Sequence, residues 1–234
     1  MTRAVNAKQR LLTLAVLLPL LTLPANGAQA APALVAQWHM DELSGPTMSD
    51  SSGAGNDGTI AGGVTFGAAG YTGAPGDYAY GFDGSTSQIK VADSSSLNPG
   101  PNDITITMQI KTTVRPGTGL FDYDMVRKGS AFNMEIYPKG TPSGPIAQAK
   151  CKFNGSLGKL VFQAGPDLID GAWHTLTCQK TSAGITLTVD GTQFFKAGFI
   201  GDIRTNSQSV AVGWQTNSTD HYNGLMDDVS IAIG

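Results

Sequence analysis

The chain has 234 residues, and charged residues make up 14% of it, well below the roughly 25% that is usual for globular proteins. The formal net charge is −3 for the whole chain and −6 for residues 31–234, since residues 1–30 hold three basic side chains and no acidic one. This mild acidity disfavours nucleic acid and anionic membranes as partners, because both bind basic surfaces. After residue 30 about 200 residues remain, enough for one domain with a sizeable core.

Residues 1–30 have the pattern of a secretory signal peptide. Arg3, Lys8 and Arg10 form a basic start, and the apolar run at 11–23 is too short to span a bilayer comfortably. The Ala-Gln-Ala sequence at 28–30 predicts cleavage after residue 30. An uncleaved anchor is the alternative, but no stop-transfer segment follows. We therefore expect a secreted, extracellular protein that does not insert into a membrane after cleavage.

Alternating apolar and polar residues recur along the rest of the chain, which is the pattern of strands with one buried face. The clearest case is 104–111, where Ile104, Ile106, Met108 and Ile110 alternate with polar residues. Similar patterns predict strands at 34–40, 88–92, 132–137, 147–153, 160–162, 194–199, 210–214 and 225–233.

Residues 172–191 predict a hairpin in the centre of a sheet. Leu176 and Cys178 alternate with polar residues, a Ser-Ala-Gly turn follows at 182–184, and a second alternating run begins at Ile185. Asp190 and Gly191 end that run, and Asp-Gly is favoured in tight type I′ turns because both central residues need positive φ.

The whole pattern is all-β. Many short strands with glycine-rich turns between them, and no helical periodicity after residue 30, predict a two-sheet antiparallel β-sandwich of the jelly-roll kind. No linker or internal repeat divides residues 31–234, so we expect a single domain.

Cys151 and Cys178 each fall in a predicted strand, on the same side as its apolar residues. Export places them in an oxidising compartment. We predict a structural disulfide between them, worth roughly 3–4 kcal/mol on the chain-entropy estimate. A redox or nucleophilic thiol would need a nearby histidine or a C-x-x-C motif, and the sequence has neither arrangement.

Several segments resemble a known family. They are LVAQWHMDE and DSSGAGNDGT near the start, YGFDGSTSQIKV and ITITMQIK further on, DGAWHTLTCQKT with ITLTVDG, and YNGLMDDVSI at the end. In this order they are similar to the laminin-G-like, concanavalin-A-type jelly-roll domains of secreted bacterial proteins. The resemblance covers 34–233 and implies the fold, but it implies little about function, since one fold carries many functions.

Asp227 shares the phase of Leu225 and Val229 in the last predicted strand, which points it inward. A buried carboxylate must be paired, protonated or bound to a metal. The family resemblance implies a structural calcium, held by Asp227 with Asp50, Asn56 and either Glu42 or Asp41; the set offers the oxygen ligands that calcium prefers. The alternative is that Asp227 accepts backbone N–H groups or the Trp38 indole N–H, without an ion.

Catalysis has little support in the sequence. The three histidines lack the spacing of a zinc site, and His174 is expected to be a buried hydrogen-bonding residue. Glycoside hydrolysis needs two carboxylates across the scissile bond, and neither Glu42 nor Glu135 lies in the alternating acidic strand of glucanases with this fold. Asp122 and Asp124 are in phase around Tyr123, but we expect them to lie in a loop.

Aromatic side chains are the remaining candidates for a ligand site, because sugars stack on rings and hydrogen-bond at their edges. The candidate ligand-binding residues follow a predicted strand end or a loop: Trp214, Asn217, Asp220, His221 and Tyr222, with Tyr123 and Asp124 as a second group. The alternative, that Trp214 packs in the core with Val210 and Val212, is favoured because the three residues share a phase.

These observations predict a secreted, non-catalytic recognition module that binds carbohydrate or another extracellular or cell-wall polymer. A glycoside hydrolase or polysaccharide lyase on the same fold is one alternative. A structural adhesive protein of the cell envelope is the other.

Overall fold

The computed structural model describes Met1 and residues 31–116, 122–141, 144–215 and 220–234. The predicted signal peptide lies outside the described residues, apart from Met1. Residues 31–234 form one compact unit. No helix in the described ranges is long and apolar enough to cross a membrane.

Sixteen strands and one short 3-10 helix, Ser95–Leu97, make up the described secondary structure. In chain order the strands are β1 (Ala33–Trp38), β2 (Thr47–Met48), β3 (Gly58–Ala61), β4 (Thr65–Ala69), β5 (Tyr78–Asp83), β6 (Gln88–Val91), β7 (Ile104–Lys111), β8 (Tyr123–Lys128), β9 (Phe132–Lys139), β10 (Ile146–Gly155), β11 (Gly158–Ala164), β12 (Trp173–Thr181), β13 (Gly184–Val189), β14 (Thr192–Ala197), β15 (Val210–Val212) and β16 (Asn223–Ile233).

The strands form two sheets in which neighbours run antiparallel. Sheet A has the order β14-β13-β12-β7-β16-β5-β4, and β1 also pairs with β16. Sheet B has the order β11-β10-β9-β8-β15-β6-β3-β2. The prediction of an all-β, two-sheet antiparallel sandwich is confirmed.

Each sheet turns one face toward a shared hydrophobic core. In β7 the apolar residues are buried and the polar residues between them are half-buried, as their alternation predicts. Ile106 and Met108 of sheet A join Met134 and Ile136 of sheet B in one cluster, and each such side chain stabilises the fold by roughly 1.5–3 kcal/mol. The face of each sheet that points away from this cluster is called its outer face.

The predicted hairpin at 172–191 forms β12 and β13, and β12 lies between β13 and β7 inside sheet A. The turn between β13 and β14 has Asp190 and Gly191 at its centre. Their φ angles are 49° and 79°, so both residues adopt the positive φ that a type I′ turn needs. This part of the sequence-based prediction is confirmed.

The predicted disulfide is also confirmed. Cys151 in β10 is bonded to Cys178 in β12, and both are fully buried. Since β10 belongs to sheet B and β12 to sheet A, this bond crosses the core and ties the two sheets together.

Strand β8 was not expected from the sequence, which placed Asp124 in a loop. In the structure β8 pairs with both β9 and β15 in the middle of sheet B. A bulge between Asp124 and Val126 breaks its alternation, so Met125 and Val126 are buried side by side. A bulge inserts one extra residue and shifts the two-residue period, which explains why the pattern was not recognised.

Candidate functional site

The outer face of sheet B carries an unusual set of polar side chains. In β9, Met134 and Ile136 point into the core, so Asn133 and Glu135 point outward. Asp124 of β8 lies directly opposite Glu135, and Lys150 of β10 lies opposite Glu135 on the other side. Three adjacent strands therefore bring acidic, amide and basic groups together.

Asp122, Asp124 and Glu135 form an acidic cluster on this face. One ligand oxygen from each lies within 4.8 Å of the others. Asp124 and Glu135 are fully buried although they point away from the core, whereas Asp122 is half-buried. Within the described ranges this is the single group of three acidic, histidine or cysteine side chains with the spacing of a metal site.

Two cations and an amide offset the negative charge of the acidic cluster. The Arg127 guanidinium donates to both Asp124 carboxylate oxygens at 3.1 Å, and the Lys150 ammonium pairs with Glu135. The Asn133 amide nitrogen donates to Asp124 Oδ1 at 3.1 Å and also to Glu135. Pairing of this kind makes burial of Asp124 and Glu135 tolerable, because an unpaired buried charge costs several kcal/mol.

Burial and mutual repulsion raise the pKa values of two of these carboxyls. Burial, followed by the nearby charges of Glu135 and Asp124, raises the pKa of Asp122 to about 8. Burial also raises the pKa of Asp124 to about 6, although Arg127 opposes the increase. The cluster therefore retains a proton at neutral pH. Asp122 Oδ1 and Asn133 Oδ1 are buried without a hydrogen-bond partner, so the cluster has oxygen atoms that could accept a cation or a ligand hydroxyl.

Trp214 lies on the same face of sheet B, toward β6. Its half-buried ring lines a cavity of about 480 Å³ together with Thr59, Gln88 and Lys90, and its indole N–H donates to the Ile89 carbonyl at 3.0 Å. The expectation that Trp214 packs in the core is wrong. Strand β15 ends at Val212, and Gly213 has φ of 78°, so the phase that Trp214 shares with Val210 and Val212 in the sequence does not continue in space.

The other predicted ligand-binding residues are divided between the core and this face. His221 is buried and stacks on Trp214, with ring centroids 6.4 Å apart. Tyr222 and Tyr123 are buried in the core and meet edge to face at 5.7 Å, so the predicted placement of these two on a ligand rim is wrong. Asp220 is half-buried and adds to the field that raises the pKa of Asp122. Asn217 lies outside the described residues.

A model of the concanavalin A-like lectin/glucanases superfamily, of laminin-G-like type, matches residues 83–232. The chain belongs to this family. No curated protein matches the sequence significantly.

Solved structures share the fold of this laminin-G-like domain at low sequence identity. The binding domain of Paraclostridial Mosquitocidal Protein 1 has a TM-score of 0.66 and 15% identity over 86% of this chain and 48% of that one. Domain 4 of AbnA, an extracellular GH43 arabinanase from Geobacillus stearothermophilus in complex with arabinotriose, has a TM-score of 0.58 and 19% identity over 87% and 93%. The binding domain of botulinum neurotoxin DC in complex with SialylT has a TM-score of 0.61 and 14% identity over 86% and 48%. The laminin-G-like domain thus spans about half of the toxin binding domains and nearly all of the arabinanase domain.

The predicted calcium ligands do not converge in the laminin-G-like domain. The Asp50 carboxylate accepts the backbone N–H groups of Gln37, Ser52 and Asn56 at 2.8–3.0 Å, and despite partial burial these bonds hold its pKa below the usual value. Glu42 accepts the Ser49 N–H at 2.8 Å and the Tyr80 hydroxyl. Asn56 donates to the Val35 carbonyl at 2.7 Å, and Asp41 accepts the Tyr78 N–H at 2.7 Å. These side chains organise loops.

Asp227 differs from these four residues, and its predicted direction is wrong. Asp228 has φ of 46° within a register shift of β16, and this bulge moves the strand's phase by one residue. Met226 and Val229 enter the core, whereas Asp227 lies opposite Gln109 and is buried on the outer face of sheet A. Its Oδ2 accepts the Tyr71 N–H at 2.8 Å, but Oδ1 is buried without a partner. Burial raises the pKa of Asp227 to about 7, helped by the charge of Asp228.

His174 has the structural role that the sequence predicts. It is buried, with Nδ1 2.7 Å from Asp190 Oδ2 and Nε2 3.0 Å from Asp170 Oδ1. Burial acts to lower the pKa of His174, but hydrogen bonds to Asp190 and Asp170 outweigh it and raise the pKa. His174 therefore ties the start of β12 to the turn after β13.

Proposed function

We propose that the protein is a secreted, non-catalytic recognition module that binds a glycan on the outer face of sheet B. The observation that carries the proposal is the half-buried Trp214 ring in a cavity of about 480 Å³ beside Thr59, Gln88 and Lys90. An aromatic face next to hydroxyl, amide and ammonium groups is the combination that binds the apolar face and the hydroxyl edge of a sugar.

The fold neighbours support a glycan as the partner. The arabinanase domain, part of an extracellular enzyme, was solved with arabinotriose, and the neurotoxin binding domain was solved with SialylT. The signal-peptide pattern of residues 1–30 supports secretion; sequencing the exported protein from its N-terminus should then give Ala31 as the first residue.

Burial of Asp124 and Glu135 supports a non-catalytic role. General acid–base catalysis requires a carboxyl within hydrogen-bond reach of the substrate. Asp124 and Glu135 are fully buried and each is already paired with a cation. Asp124 and Glu135 therefore position Arg127 and Lys150, and neither carboxylate is open to a substrate in solvent.

The proposal is tested by removing the Trp214 ring. Trp214→Ala should weaken binding to any polysaccharide that the wild type retains by at least about tenfold, as expected for the loss of an aromatic anchor. Affinity electrophoresis against a polysaccharide panel identifies the ligand, and calorimetry gives the dissociation constant. Trp173→Ala is the matched control, since Trp173 is a half-buried tryptophan of sheet A that packs against Tyr71. Unchanged binding by Trp214→Ala, or equal losses in both variants, would contradict the proposal.

A polysaccharide-cleaving enzyme is the second candidate, and Asp122 is the observation that favours it. Asp122 is half-buried and its raised pKa keeps it protonated at neutral pH, as a general acid must be. The test is to look for new reducing ends or unsaturated products from a polysaccharide panel. If they form with the wild type and not with Asp122→Asn, the protein is an enzyme and not a binding module.

We also propose a structural calcium at Asp227, as the family resemblance implies. The residues fit in one respect: the buried Asp227 Oδ1 lacks a partner, and Asp77 and Asp228 add negative charge nearby. Bound calcium would neutralise this charge and fasten the loop that contains Tyr71 to β16. Glu42, Asp50 and Asn56 are not ligands in the calcium site proposed here, since their oxygens already accept hydrogen bonds.

A further inference from the structure

Three basic side chains share one row across the outer face of sheet B. In the strand register, Lys90 of β6 lies opposite Ala211 of β15, and Ala211 lies opposite Arg127 of β8. Arg127 in turn lies opposite Asn133 of β9, which lies opposite Lys152 of β10. Lys152, Arg127 and Lys90 therefore occupy every second strand. Because adjacent strands lie about 4.8 Å apart, the three positions are spaced at about 10 Å.

The residues between the three cations leave room for a ligand. Ala211 has only a methyl group, and Asn133 is fully buried, so neither rises above its neighbours. Arg127 and Ala211 line a cavity of about 250 Å³ with Gln208 and Gln215. Lys90 lines the neighbouring cavity, which also contains Trp214. The row thus runs past the ring that the proposed function assigns to sugar stacking.

The exposed charge of this row is positive, although the domain as a whole is acidic. Lys90 is exposed and Lys152 is half-buried, and within the described ranges neither takes part in a salt bridge. Arg127 is paired with Asp124, but that carboxylate is fully buried while part of the guanidinium faces solvent. The carboxylate that pairs with Arg127 thus lies below it, and the positive groups of the row meet solvent.

We propose that the ligand is an anionic polysaccharide, with carboxylate or sulfate groups, that crosses the strands of sheet B along Lys152, Arg127 and Lys90. This inference rests on the proposed function and names the class of glycan. The spacing is of the order of two sugar residues, so consecutive cations meet the acidic groups of alternate sugars. Arg127 contributes a planar set of donors that matches a carboxylate or sulfate group, and Trp214 stacks on a ring beside it.

The test compares ligands that differ only in charge. Polygalacturonate is paired with fully methyl-esterified pectin, and dextran sulfate with dextran. Binding is measured at about 0.1 M and about 1 M NaCl, between which the Debye length falls from about 10 Å to about 3 Å. We expect binding to a charged member only, weakened strongly at high salt. Preference for polygalacturonate or for dextran sulfate identifies the carboxylate or the sulfate as the recognised group.

Lysine variants locate the binding row. Lys90→Gln and Lys152→Gln should each weaken binding of the charged polymer by roughly threefold to tenfold, the effect of losing one partly exposed charge contact. Lys111→Gln is the matched control, because Lys111 lies on the outer face of sheet A, opposite Trp173. Thermal melts of all three variants check that they are folded.

The outcomes separate this inference from the function on which it rests. Binding of a neutral polysaccharide that is lost in Trp214→Ala, but unaffected by salt and by the lysine variants, would leave the glycan-binding function intact and overturn the anionic ligand. Equal affinity for duplex DNA, or an equal loss in Lys111→Gln, would also overturn it, because the domain would then bind polyanions nonspecifically. Failure to bind any member of the panel would count against both proposals.

Discussion

Removing the bond between Cys151 and Cys178 should lower the free energy of unfolding by an amount that depends on the length of the loop that the bond closes. The two cysteines are 27 residues apart, and for a loop of this length the chain-entropy relation gives about 3.5 kcal/mol at 25 °C. In a domain of about 200 residues, 1 kcal/mol corresponds to about 2–4 °C in Tm. Reduction should therefore lower the Tm by about 7–14 °C.

The assay is thermal unfolding followed by circular dichroism, with and without a reducing agent, after thiol titration has confirmed complete reduction. The Cys151→Ala/Cys178→Ala variant provides an independent measurement. Both sulfurs are fully buried, so their removal also leaves a small void, and the variant should lose about 1 kcal/mol more than the reduced wild type. The reducing agent should have no effect on the variant, which controls for other actions of the reagent.

A Tm that is unchanged after full reduction would refute the reasoning. It would mean that the unfolded chain remains compact around β10 and β12 even without the bond, so that the bond removes little of its conformational freedom. A loss much larger than about 4.5 kcal/mol in the double variant would instead show that the bond maintains the packing of the sheets, and that the entropy of the unfolded chain is a minor part of its effect.

Three further predictions concern titratable groups. Asp122→Asn should raise the free energy of unfolding by roughly 1 kcal/mol above pH 8 and leave it unchanged near pH 3. The reason is that a carboxyl whose pKa is raised to about 8 makes the native state less stable as the pH rises from about 4 to about 8. Urea unfolding at three pH values measures the difference, and equal effects at all three would contradict the prediction. His174→Asn should lower stability by roughly 1 kcal/mol more at pH 5.5 than at pH 9, since the raised pKa of His174 stabilises the fold below its unfolded pKa and this contribution is lost as the pH rises through the folded value. EGTA should lower the Tm of the wild type, and Asp227→Asn should remove this response; a wild-type Tm that does not respond to EGTA, or to added calcium, would exclude the calcium at Asp227.

The sequence predicted the sandwich well where each strand keeps a strict two-residue period. Strand β7 follows its expected alternation residue by residue, the hairpin of β12 and β13 forms as predicted, and the predicted turn at Asp190 and Gly191 follows β13. The disulfide followed from the presence of two cysteines on the apolar sides of predicted strands. Local pattern was sufficient for the strands and the turn, because each depends on neighbouring residues. The disulfide joins strands of different sheets and followed from the number and phase of the cysteines.

Three errors, at Asp227, at Trp214 and in β8, have one physical cause, which is a change of phase within a strand or at its end. Asp228 adopts a positive φ and shifts β16 by one residue, so Asp227 faces outward where the sequence pattern points it inward. Gly213 does the same beyond β15 and brings Trp214 to the surface cavity. The bulge after Asp124 hid β8 altogether. A single residue of this kind reverses the side of every residue after it, and no periodicity in the sequence marks it.

The acidic cluster could not be found from the sequence, since Asp124 and Glu135 are brought together by strand pairing and Lys150 by the next strand. Its residues also look like ordinary surface positions in strands. The sequence held one weak signal. Asn133 and Glu135 are polar residues that alternate with apolar ones, which indicates an outward face but does not indicate that these two side chains are buried there.

Both outer faces bury acidic side chains, Asp227 on sheet A and Asp124 with Glu135 on sheet B, but on sheet B they form a cluster with paired cations, which favours sheet B as the functional one. At the centre of sheet A, Thr107, Thr177 and Thr188 lie opposite one another, and threonine suits an exposed strand at little cost. The equivalent centre of sheet B holds Asp124 and Glu135, which are fully buried and lower stability even when paired. Folding alone does not require them there, and such violations are expected at functional sites. Their effect is to pair with Arg127 and Lys150, so an acidic domain can present ordered positive groups to a ligand while these two carboxylates stay covered.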